Sequence, residues 1–178
     1  MQRSLNILTM LNIIKSIDSL NESIGRVIAW GAIASVVITF AVVVLRKAFD
    51  WGSIGLQESA LYFHALLFMA GAAYTFSQDG HVRVDIFYQK YSVKAKAWLN
   101  LLGGLFLLIP FCLFILWVSA DYVIASWQQL EGSREAGGLP LVFLFKSYIP
   151  LFAILLLLQA ISSILNSWMT IQQQGNQS

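Results

Sequence analysis

Four stretches of this sequence, residues 27–45, 59–78, 97–120 and 147–171, contain no Asp, Glu, Lys or Arg. Each is long enough, at about 1.5 Å of rise per residue, for an α-helix to cross a hydrocarbon layer of about 30 Å. A bilayer offers no water to open backbone groups, so helix is the expected form. With 58% of 178 residues apolar and 11% charged, a water-soluble fold would leave large apolar patches exposed. Helices in lipid avoid that conflict, because acyl chains solvate their outer faces. The expected architecture is an all-α integral membrane protein with four transmembrane helices.

A different pattern precedes the first run. In residues 1–23, Leu5, Leu8, Leu11, Ile14 and Ile17 recur every three to four positions, and Arg3, Lys15, Asp18 and Glu22 occupy the other side. No small-residue cleavage site follows a short apolar stretch, so a signal peptide is not expected. An amphipathic helix lying in the plane of the interface is the natural reading. The chain thus divides into an interfacial segment (1–23), a four-helix membrane domain (24–171) and a short cytoplasmic tail (172–178).

Orientation follows from basic residues. Arg3, Lys15, Arg26, Arg83, Lys90, Lys94 and Lys96 share one side, against Arg46, Lys47, Arg134 and Lys146 on the other. The positive-inside bias places both termini in the cytoplasm. Trp30, Trp51, Trp98, Trp117, Trp127 and Trp168 fall near span ends, where an amphipathic ring prefers the headgroup level. Pro110, inside the third run, removes a backbone donor and crowds the carbonyl of Phe106, so a bend is expected there.

Few side chains suggest chemistry. Transporters and proton pumps usually place ionisable groups within their spans, and here only His64 lies in one. It could ligate haem, but the other histidine, His81, is about 25 Å away along a helix; hydrogen bonding to a carbonyl or a neighbouring subunit is the plainer role. Glu58 stands at the start of the second span, where a carboxylate can cap a helix or pair with a basic group of a neighbour. The single Cys112 excludes an intrachain disulfide. No catalytic set, metal spacing or phosphate-cradling loop is present, and a net charge of +2 gives no reason to expect nucleic acid. The expectation is no enzyme, no cofactor and no metal site.

Small residues at helical spacing (Gly25 with Ala29, Gly31 with Ser35, Gly71 with Thr75) are expected to bring the first two spans together. The third span carries bulky runs at 105–108 and 111–116, suited to lipid or to a broad protein contact. The loop at 131–140 mixes both charge signs with glycines and a proline, and reads equally as a recognition loop or a plain connector.

Trp51 and Gln57-Glu58 before the second span, Gly80-His81-Val82-Arg83-Val84-Asp85 after it, and Glu131, Gly137-Gly138-Leu139-Pro140 and Lys146-Ser147-Tyr148-Ile149-Pro150 beyond the third together resemble the small membrane subunit, or Q component, of the tripartite ATP-independent periplasmic (TRAP) transporters. The resemblance covers about residues 25–165, and the His-Val-Arg-Val-Asp loop is its most specific part. The Arg134–Gly138 form is similar to the branch associated with 2-oxo acids, mannitol-like or aromatic carboxylate substrates.

The resemblance implies a non-transporting scaffold in the bacterial inner membrane. It would brace a large M subunit one-to-one within a sodium-coupled transporter for organic acids, and help to dock a periplasmic substrate-binding protein. Glu58, His64, His81, Arg83 and Asp85 are then expected at the large subunit or the interface, and Arg46, Arg134 and Glu135 toward the binding protein, with membrane lipids around the rest. The alternatives from the residues themselves are a stand-alone carrier or channel, which would need polar residues lining a path, and a small membrane haem protein, which would need a second internal histidine.

Overall fold

The computed structural model describes residues 2–78, 80, 88 and 90–175, with side chains from residue 7 to residue 174. The described chain is helical: α1 (Gln2–Phe49), α2 (Ile54–Ser77), α3 (Val93–Gly103), a π-helical turn (Gly104–Leu108), α4 (Ile109–Gln128), α5 (Val142–Lys146) and α6 (Tyr148–Gly175). Four helical stretches are long and apolar enough to cross a membrane: Ile7–Phe49, Ile54–Ser77, Val93–Gln128 and Val142–Gln174. The four expected spans are therefore present, each extended at one or both ends by residues that charge had kept out of the apolar run.

The N-terminal segment differs from expectation in one respect. No break separates residues 2–23 from the first span; α1 runs unbroken through 48 residues, about 72 Å at the helical rise. Side-chain bonds to α6 tie this half of α1 down. Asp18 Oδ1 accepts from Gln159 Nε2 at 2.9 Å and from Ser162 Oγ at 2.7 Å, and Asn21 Nδ2 donates to Gln159 Oε1 at 2.6 Å. Asp18, which looked like the solvent side of an interfacial helix, thus faces another helix, as does Asn21.

Helices α1 and α2 pack closely where small residues permit. A Cβ on Gly25 would lie 2.5 Å from Tyr74 Cγ, and one on Gly31 would lie 3.6 Å from the Phe63 carbonyl oxygen. Ser35 Oγ donates to the Ala60 carbonyl at 3.0 Å. Gly71 plays no such part, since a Cβ there would meet nothing within 4 Å. The apolar centre is Ala70, Ala73 and Leu155, surrounded by Ile24, Ile28, Leu66 and Leu151. Helix α6 is the hub of the bundle, and Ala153, Leu155, Leu156, Gln159, Ala160, Ser162, Ser167 and Met169 are buried along it.

Pro110 acts through hydrogen-bond register. It sits in the first turn of α4, directly after the π turn in which Ile109 N–H donates to the Gly104 carbonyl five residues back. A proline and a π-helical turn are each a recognised place for a helix to bend, and here they adjoin. Gly104 lies against Ile164 of α6, 2.8 Å from where its Cβ would be. The bulky side chains beyond it, including Phe106 (66% exposed), Leu107 (73%) and Trp117 (77%), point away from the bundle.

The bundle is open. Its accessible surface is 11938 Å², against about 8,700 Å² for a compact soluble monomer of this mass. Val27, Trp30, Val36, Phe40 and Phe68 are each at least 69% exposed. Surface of that kind requires lipid or another protein to cover it.

Candidate functional site: a clamped loop at one end of the bundle

The segment between α4 and α5 is held by three acidic and basic side chains from separate elements. Helix α4 ends with Leu130 at φ 44°, a left-handed turn that redirects the chain. Glu131 follows. Its Oε2 accepts from Ser126 Oγ at 2.7 Å and from Lys146 Nζ at 2.5 Å, while its backbone carbonyl accepts from Phe143 N–H at 3.2 Å. Lys146 also lies over the Tyr122 ring, 3.9 Å from the centroid. The Lys146 ammonium and the Ser126 hydroxyl hold the Glu131 carboxyl below its ordinary range.

Glu58 closes the other side of the loop. The helix start that it was expected to cap is capped by Ser53, whose hydroxyl accepts from Leu56 N–H at 3.4 Å. Glu58 instead reaches across to the loop, accepting from Leu139 N–H at 2.6 Å through Oε2 and from the Ser133 hydroxyl through Oε1. The loop closes on itself as well, with Ser133 N–H donating to the Leu139 carbonyl at 2.9 Å and Gly138 N–H to the Glu135 carbonyl at 3.0 Å. Gly137 adopts φ +80°, which a side chain would strain, and a Cβ on Gly138 would lie 2.9 Å from Glu58 Oε1. The two glycines therefore serve the clamp: one supplies the turn and the other the close approach.

Between clamp and bundle lies an open cavity of about 540 Å³ with Tyr62, Tyr122, Phe145 and Tyr148 among its walls. Tyr62 stacks on Phe145 with centroids 4.5 Å apart, and Phe145 meets Tyr148 edge-on at 5.6 Å. Nearby, Trp127 Nε1 donates to Ser147 Oγ at 2.8 Å. Glu58 and Glu131 are both satisfied by partners within the chain, and together they give this surface its shape. Arg134 and Glu135 stand exposed at its rim.

The expected site residues separate into three groups. Glu58, Arg134 and Glu135 are brought together at this loop. Arg46 is exposed in the last turn of α1, where a cation complements the helix dipole. His64 is exposed on α2 and makes no hydrogen bond among the described residues. His81, Arg83 and Asp85 lie outside the described residues.

Sequence reasoning missed the partners of Glu58, since a serine and a backbone amide 75 and 81 residues away leave no periodic trace. It also missed the bonds from Asp18 and Asn21 to α6. Polar Gln159 and Ser162 in the middle of an apolar run were the available sign.

The sequence model of the family described as "Tripartite ATP-independent periplasmic transporters, DctQ component" matches residues 35–170, well over half of the chain. No match was found among curated proteins or among solved structures. The family is one of transporter subunits, and with four membrane-crossing helices the chain is a multi-pass inner-membrane protein. By that match the chain belongs to the DctQ component family of the tripartite ATP-independent periplasmic transporters.

Proposed function

We propose that this chain is a non-transporting scaffold that braces the large membrane subunit of a sodium-coupled TRAP transporter for organic acids, one copy to one copy. The observation that carries this reading is the outward-facing apolar surface of the spans: only 11% to 33% of each span's most apolar stretch is buried within the chain. A brace needs broad apolar faces and a stiff frame; α1, about 72 Å long if straight, and the clamped loop supply the frame. On this reading both termini and the loop after α2 are cytoplasmic, and residues 24–171 form the body that meets the large subunit and lipid.

Within that assembly, His64 on the outer face of α2, with His81, Arg83 and Asp85 in the following loop, serves contact with the large subunit or fixes the exit of α2. Glu58 contributes by holding the 131–140 loop in shape. Arg46, Arg134 and Glu135 face the periplasm and help to orient the substrate-binding protein. Exposed mixed charges favour rapid, reversible docking in one register, while each exposed pair is worth only about 0–1 kcal/mol.

Affinity purification of the tagged chain from membranes should bring down a much larger multispan protein, and liposomes containing this chain alone should take up no solute. Sodium-driven uptake by those liposomes would overturn the scaffold reading. Reversal of both charges, Arg134→Glu with Glu135→Arg, should slow uptake most at low binding-protein concentration while assembly stays intact. Uptake insensitive to that reversal at low salt would place docking on the large subunit.

A further inference from the structure

At the opposite end of the bundle from the clamped loop lies a second cavity, of about 420 Å³, with walls from α1, α2, α3 and α6. From Glu58 to Gln78, which borders it, α2 covers 20 residues, about 30 Å at the helical rise. That is one hydrocarbon thickness, so the cavity sits at the opposite membrane edge, where water and ions reach it. Its volume would hold about 14 waters at roughly 30 Å³ each.

The lining is unusual in its chemistry. Among the described residues it contains one carboxylate, Asp18, together with serine, asparagine and glutamine side chains and Phe76, and no Lys, Arg or His. Asp18 Oδ1 is oriented by Gln159 and Ser162, whereas Oδ2 makes no hydrogen bond among the described residues. Ser167 also lines the cavity; it is only 7% exposed, and its hydroxyl has no partner among the described residues. One bond further back, Asn21 Oδ1 is a fully buried acceptor without a donor among the described residues. The C-terminal end of α2 at Ser77 and Gln78 adds the negative pole of a helix.

All of these features favour a positive guest, and no lining residue among those described supplies one. We infer that this cavity binds a hydrated alkali cation, sodium or potassium, directly on Asp18 Oδ2 with Ser167 Oγ and water completing its shell. A single carboxylate argues for a monovalent ion, because calcium takes six to eight oxygens, generally including several carboxylates, and magnesium demands a near-ideal octahedron. The bound charge joins α1 to α6 through Asp18, Gln159 and Ser162, and so stiffens the end of the bundle where the buried acceptors gather.

The test uses the purified full chain in nanodiscs, with melting followed in sodium chloride, potassium chloride and choline chloride at one ionic strength. A ligand that binds only the folded state raises the Tm in proportion to the logarithm of its concentration above Kd. The expected result is a saturable rise with one or both alkali ions over choline. Asp18→Asn should abolish it. Ser167→Ala, which removes a hydroxyl and no charge, should weaken apparent affinity severalfold, and Asp121→Asn on α4 should leave it unchanged. The two alkali arms tell sodium from potassium. Sodium-23 NMR line broadening, relieved by Asp18→Asn and by competing potassium where that ion binds, gives a readout that does not depend on folding.

Identical melting in all three salts, or an alkali shift surviving Asp18→Asn, would overturn the assignment. So would an ion effect that disappears on assembly with the large subunit while Asp18→Asn prevents assembly, because the natural guest would then be a basic side chain of that subunit.

Discussion

Removing the Glu58 carboxylate should release the 131–140 loop while leaving the helices in place. Hydrogen bonds to a charged group are worth about 1.5–3 kcal/mol each, and Glu58 receives two, from Leu139 N–H and from the Ser133 hydroxyl. Because Glu58 is only partly buried, water replaces part of that loss, so Glu58→Ala should cost about 2 kcal/mol in loop opening. Glu58→Gln can keep one oxygen on Leu139 N–H and donate to the Ser133 hydroxyl, and should cost about 1 kcal/mol.

Trypsin cleavage after Arg134, exposed on the loop, reports the open population when opening and closing are fast relative to cleavage. In nanodisc-held protein, a 2 kcal/mol loss corresponds to about 30-fold faster appearance of the fragment cut at Arg134, and 1 kcal/mol to about fivefold. Arg134→Gln identifies that fragment by abolishing it. Ser133→Ala should be slower to cleave than Glu58→Ala, and the double variant should show a coupling of at least about 0.5 kcal/mol, as residues in one network do. A Glu58→Ala rate within twofold of the unmodified chain, or strict additivity in the cycle, would refute the clamp as the source of the loop's order.

Three further outcomes are expected. The Glu131 carboxyl is held below its ordinary value of 4.5, first by the Lys146 ammonium and then by Ser126, so its contribution to stability is complete above pH 4.5 and is lost as pH falls through the folded value. The Tm difference between the unmodified chain and Glu131→Gln should accordingly be largest near neutrality and shrink below that value, and a gap that is constant or widens in acid would contradict the linkage. Gly25→Ala places a Cβ 2.5 Å from the Tyr74 ring and should destabilise by about 1–3 kcal/mol in thermal or denaturant melting, as overpacking does. Tyr74→Ala should restore part of that loss, and an unaltered Gly25→Ala protein would mean that α1 and α2 do not approach so closely. A reporter enzyme fused after Ser178 should behave as cytoplasmic and a cysteine at exposed Ala136 should label from the periplasm; the reverse pattern would invert the orientation and remove the docking role of the loop.

What could be read from the chain alone was whatever the bilayer dictates one residue at a time. A run without charge must be helical in lipid, and four such runs became four membrane-crossing stretches. Small residues at Gly25, Gly31 and Ser35 mark a close helix contact because only they admit a neighbouring backbone or ring, and they do lie against Tyr74, Phe63 and Ala60. Pro110 announced a local disturbance, since a missing donor must be accommodated wherever the helix goes.

Tertiary structure alone decided which polar groups meet. The period of an amphipathic helix records that one face is apolar and says nothing about what lies opposite the other face. Asp18 therefore read as solvent-facing, whereas α6 brings Gln159 and Ser162 to it, and Gln159 to Asn21, across some 140 positions of sequence. Glu58 likewise read as a cap because its local setting suits one, yet Ser53 sits closer to the helix start and takes that role, which leaves the carboxylate to bind a loop whose glycines hold it within reach. Solvation by lipid is a property of each residue and is written along the chain; a hydrogen bond between distant side chains depends on a geometry that exists only once the helices have packed.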